Sequence, residues 1–136
     1  MRQWLFPTFG AFILWGLWSF IPKITTRYIS PKSAILYEVV GGIVVAVVVL
    51  ISMRFKPDIH PVGIGLALTT GILGFSGALL FLYAVSKGPV SLVAVLSALY
   101  PVITVLLSVM ILKEAISMKQ WLGIALGLVS MLLIAG

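Results

Sequence analysis

Three carboxylates are the whole acidic complement of the chain: Glu38, Asp58 and Glu114. Only Glu38 falls inside a long apolar run, roughly 9 Å along a helix axis from Lys32 at 1.5 Å per residue. An ionisable side chain at such depth is costly and marks a proton relay or a counter-charge for a cation. The structural alternative is an interfacial carboxylate that reaches water or pairs with Lys23, Arg27 or Lys32, and both readings stay open. Gly41 and Gly42 lie one turn further on the same face and leave room beside the carboxylate. Asp58 and His60 share a polar loop without a ligand set. Glu114 lies between Lys113 and the start of the next helix, where a structural role is expected. There is no cysteine, and no HExxH, GxSxG, P-loop or paired-carboxylate arrangement. No enzymatic activity, cofactor or bound metal is expected.

Aromatic and hydroxyl side chains form a second group. Trp15, Trp18, Ser19 and Pro22 fall on one side of the first apolar run, and such a wall suits an organic solute or packs on a neighbouring helix. Ser76 and Tyr83 share a face of the third run. Tyr100 precedes Pro101, which removes the backbone bond to the Ser97 carbonyl. Ser97, Thr104 and Ser108 lie near the proline's face at three- and four-residue spacings. This stretch reads as a broken, polar-striped membrane helix facing the protein interior, since a freed carbonyl in lipid needs protein, hydroxyls or water.

The elements that position these groups follow from composition. Of 136 residues, 62% are hydrophobic and 9% charged, the profile of an integral membrane protein. The net charge of +6 comes from nine basic residues placed singly or in pairs beside apolar runs, as juxtamembrane anchors are. With no basic patch, a nucleic-acid partner is excluded. The run from Trp4 to Ile21 is too long for a signal peptide and reads as the first span. We expect an all-α integral membrane protein of five transmembrane helices in one domain over 1–136, with spans at about 3–22, 32–53, 62–86, 89–112 and 118–135. Ser30-Pro31 supplies an N-cap and first-turn proline, and Ser117 to Gln120 has capping-box form. Gly123 and Gly127 form a GxxxG, a mark of intramolecular packing or of a dimer seam.

Trp15-Gly16, Lys23 closing the first span, Ser30-Pro31, Ser86-Lys87-Gly88-Pro89, Leu99-Tyr100-Pro101 and Leu112-Lys113-Glu114 together resemble an EamA-like domain of the drug/metabolite transporter superfamily. The resemblance covers essentially the whole chain and is most specific from Gly88 to Glu114. It implies one half of an inverted-repeat, ten-helix transporter architecture, moving a small organic metabolite or drug-like solute. It also implies a cavity lining of Trp15, Ser19, Ser97, Tyr100 and Pro101. Many members place an arginine seven residues after the proline of the second span, where this chain has Glu38. That departure points away from anionic solutes and toward a cation or proton coupling.

These features lead to the expectation of a secondary transporter in the cytoplasmic or inner membrane, working by alternating access as an antiparallel homodimer. Basic residues on the two faces, Arg2, Arg54, Lys56, Lys113 and Lys119 against Lys23, Arg27, Lys32 and Lys87, number five and four. A difference of one is too small to fix orientation. The alternative is a half-transporter or accessory subunit that pairs with a different chain of the same type.

Overall fold

The computed structural model describes residues 4–135, which are helical between short connections, with no strand among them. Gln3, where the first span was expected to begin, and Arg2, counted in the charge balance, lie outside the described residues. The chain divides after Lys87 into two compact units.

The first unit holds α1 (Leu5–Thr25), α2 (Pro31–Ser52) and α3 (Pro61–Lys87), with α3 packed on both α2 and α1. The first helix does not stop at Pro22 but runs on to Thr25. Proline forfeits only its own N–H bond, here to the Trp18 carbonyl, and the Thr26 N–H regains the ladder on the Pro22 carbonyl at 2.9 Å. Ser30 caps α2 as expected, its Oγ accepting from the Ser33 N–H at 3.3 Å. The same helix closes with a pair of crossed bonds, Arg54 N–H to Ile51 O at 2.9 Å and Phe55 N–H to Leu50 O at 3.0 Å. That is a Schellman ending built without glycine, so Arg54 and Phe55 adopt φ of 53° and 59°. His60 Nδ1 accepts from the Gly63 N–H at 3.2 Å and so caps α3.

Tight packing is confined to one end of this unit. Pro22 of α1, Ala34 of α2, and Ala78, Phe81, Leu82 and Val85 of α3 are buried. The Trp18 and Phe81 rings meet at 5.5 Å and 30°. Lys23 Nζ donates to the Val85 carbonyl at 2.7 Å, placing a cation on the C-terminal turn of α3. Hydrogen bonds to charged groups contribute about 1.5–3 kcal/mol, and the helix dipole favours this one.

The second unit holds α4 (Val90–Ser97), α5 (Tyr100–Ile111) and α6 (Met118–Ala135), with α4 packed on α6. The fourth apolar run is broken ahead of Pro101, at a turn through Ala98 and Leu99. Its hydroxyls do not satisfy the carbonyl that the proline frees. Ser97 Oγ donates to Ala94 O at 3.0 Å, Thr104 Oγ1 to Tyr100 O at 3.5 Å and Ser108 Oγ to Val105 O at 3.0 Å. Ser97, Tyr100, Pro101 and Thr104 are exposed, so this unit does not bury the stripe that was expected to face inward. Short hydroxyl side chains bond back to their own helix more readily than they reach across a break. The α5 end passes through Lys113 at φ 57°. Before α6, Gln120 Oε1 accepts from the Ser117 N–H at 2.8 Å and Ser117 Oγ accepts from the Gln120 N–H at 3.3 Å, completing the capping box.

Among the described residues, Leu5–Thr25, Pro31–Ser52, Pro61–Lys87 and Val90–Ile111 are long and apolar enough to cross a membrane. The last helix is shorter, 18 residues, or about 27 Å against a hydrocarbon core of about 30 Å. Large apolar side chains cover the outside of the helices, from Phe6 at 89% exposed to Leu133 at 78%. A lipid environment, not water, is the solvent for such a surface.

Candidate functional site

Away from the packed end, the three helices of the first unit part around Glu38. A cleft of about 450 Å³ is lined by Trp18 of α1, by Glu38, Gly41, Gly42 and Val45 of α2, and by Gly71, Gly74, Phe75 and Ala78 of α3. Glycine makes the space. A Cβ added at Gly41, Gly71 or Gly74 would meet nothing within 4 Å, whereas one at Gly42 would lie 3.1 Å from Phe75 Cζ. A second cleft of about 280 Å³ lies toward the α1–α2 connection, lined by Trp18, Ile21, Pro22, Thr25, Ile29, Ala34, Tyr37 and Glu38. Trp18 and Glu38 belong to both. The Thr25 hydroxyl is spent on Ile21 O at 3.2 Å.

Glu38 is half-buried, and among the described residues it forms no ion pair. The Lys23 ammonium, one of the partners considered from the sequence, reaches the Val85 carbonyl. Larger than a water site and mostly apolar, with a single carboxylate, the main cleft has the size and character of a small-molecule site. Among the described residues no group of three His, Cys, Asp or Glu side chains converges as a metal site would require.

Of the residues singled out from the sequence, the fold brings Trp18 and Glu38 together, with Gly41 and Gly42 beside them. Trp15, 61% exposed, lines neither cleft. Ser19 lines neither, and its hydroxyl donates to Gly16 O at 2.9 Å. Ser76 and Tyr83 lie off the face of α3 that forms the wall, which is Gly71, Gly74, Phe75 and Ala78. Ser97, Tyr100 and Pro101 belong to the second unit. A Cβ at Gly123 or Gly127 would meet nothing within 4 Å, so this GxxxG seats no close helix contact among the described residues. Sequence reading missed Phe75 as a wall. Its signal is the run of small residues at three- and four-residue spacings around it, Gly71, Gly74 and Ala78.

Bilayer-length helices define a multi-pass membrane protein, and its first unit holds a cleft with one carboxylate. The chain belongs to the EamA-like transporter family, whose sequence pattern matches residues 2–136. It is 29% identical over 123 residues to an uncharacterized protein of Methanocaldococcus jannaschii, covering 90% of this chain and 89% of the relative. It is 28% identical over 129 residues to an uncharacterized transporter of Helicobacter pylori, covering 92% of this chain but 42% of that transporter. No solved structure matches it.

Proposed function

We propose that the protein is a secondary transporter that moves a small organic solute across the cytoplasmic or inner membrane by alternating access. Two copies form the working unit as an antiparallel homodimer, and Glu38 couples solute movement to protons. The observation that carries this reading is the carboxylate in an apolar cleft of about 450 Å³, the place where an intramembrane ionisable group earns a functional reading. The chain spans 42% of the longer transporter it resembles, and a second copy would supply a further domain of the same kind. The same observation favours one rival, a half-transporter completed by a different chain of this type. In either assembly the GxxxG of Gly123 and Gly127 offers a seam for close helix approach.

The titratable groups on the elements packed around Glu38 are Lys23 on α1, Lys32 and Tyr37 on α2, and Tyr83 and Lys87 on α3. Lys23 is held on Val85 O, and of the titratable side chains on these helices Glu38 alone lines the main cleft. Glu38 is therefore the group whose proton exchanges with solute. A solute found by thermal-shift screening of metabolites, added to proteoliposomes with a lumenal pH dye, should drive proton flux. Glu38→Gln should fold, insert and abolish that flux, while undiminished flux in the variant across the physiological pH range overturns the coupling role.

A further inference from the structure

Resting on that reading, we infer that the main cleft of the first unit binds a lipophilic, alkylated organic monocation, with Glu38 as its counter-charge and the faces of Trp18 and Phe75 against its body. Its nine lining residues include one charged side chain, Glu38, and two aromatic ones, Trp18 and Phe75. A neutral solute without N–H or O–H donors would take water from the carboxylate and return no partner. An anion would add repulsion. A cation with an apolar body satisfies the carboxylate, and the aromatic side chains of Trp18 and Phe75 line the same cleft.

The lining also distinguishes among cations. Glu38 is the sole side-chain acceptor in the main cleft, since the indole of Trp18 only donates. A primary ammonium brings three N–H donors, and one carboxylate that takes a donor on each oxygen leaves one without a side-chain partner. A quaternary nitrogen has none to satisfy. A divalent metal ion needs several oxygen ligands, and no cluster of three ligating side chains exists among the described residues.

The glycines provide a test that spares the fold. A Cβ at Gly74 meets nothing within 4 Å, so the first carbon of Gly74→Leu enters open space and the side chain adds bulk to the cleft wall. Ser76→Leu places a leucine at a residue off the cleft wall. The experiment is equilibrium dialysis of benzyltrimethylammonium against detergent-purified protein, with benzylamine and benzenesulfonate as competitors and a thermal midpoint for every variant. The expected order is benzyltrimethylammonium tighter than benzylamine, with no competition by benzenesulfonate. Glu38→Gln and Gly74→Leu should each weaken binding at least tenfold, and Ser76→Leu should leave it unchanged. For the parent protein, affinity should fall tenfold per pH unit below the pKa of Glu38, and this dependence should vanish in Glu38→Gln.

Equal binding by the parent and a folded Glu38→Gln overturns the site, as does effective competition by benzenesulfonate. If Gly74→Leu unfolds, the loss of pH dependence in Glu38→Gln decides alone. Binding as expected, with no movement of the cation in proteoliposomes, supports the site and overturns the transport reading. Transport of a neutral or anionic solute that benzyltrimethylammonium does not inhibit leaves transport standing and overturns the cation site.

Discussion

Arg54 shows how a single residue holds a shape its side chain disfavours. It occupies the left-handed position of the α2 ending at φ 53°, where glycine is the usual occupant. An L-residue there gives up about 1–2 kcal/mol relative to its right-handed conformation, and part of that is regained because glycine is more mobile when unfolded. Arg54→Gly should stabilise the protein by about 0.5–1 kcal/mol, read as a higher midpoint in reversible unfolding in mixed micelles. A lower midpoint would mean that the arginine side chain contributes more than its backbone costs, as an anchor at the lipid surface would. Glycine is open to change in the opposite sense at Gly42, where an added methyl would press on Phe75 Cζ from 3.1 Å.

At the scale of the element, two prolines within apolar helices have opposite outcomes. α1 continues through Pro22, while the run from Val90 to Ile111 parts ahead of Pro101. The difference lies in what surrounds them. Pro22 is buried, and its neighbour Lys23 is tied to α3 through the Val85 carbonyl. Pro101 is exposed, and no such tie spans Ala98 and Leu99. Pro101→Ala restores an N–H donor for the Ser97 carbonyl, and it removes a ring whose helix-interior cost is about 3 kcal/mol. The variant should join α4 and α5, unfold at a higher midpoint by at least about 1 kcal/mol, and transport more slowly. Unchanged kinetics would make the break a packing feature only. How much of each helix was legible in the sequence follows the same division. The caps at Ser30 and Ser117 and the break at Pro101 are local, set within four residues, and could be read directly. The continuation of α1 past Pro22 is accompanied by a contact of Lys23 with Val85, which is distant in sequence.

For the whole molecule, orientation in the membrane decides which assembly is possible. An inverted repeat built from two copies of one odd-span chain requires opposite insertion of the copies. The charge balance of five against four permits this under the positive-inside rule. A pair of C-terminal reporters, one active only in the cytoplasm and one only outside, should both give signal. Adding two lysines to one side should then drive a single orientation and abolish transport. A single orientation in the unmodified protein would defeat the antiparallel assembly and leave a second, oppositely inserted partner chain.

By itself the sequence determined what depends on composition and on near neighbours. The length and apolarity of the runs made the protein a membrane protein, the caps and prolines placed the helix ends, and Glu38 stood out because a carboxylate is costly in lipid. Only the tertiary structure decided which faces meet. In a soluble helix the apolar stripe points to the core, but here nearly every face is apolar, so periodicity could not separate Trp18 from Trp15 or Phe75 from Ser76. The packed end at Pro22, Ala34 and Val85, and the open glycines beside Glu38, fixed that choice. Lipid removes the hydrophobic difference between inside and outside, and close packing around small residues is what remains to set the direction of each side chain.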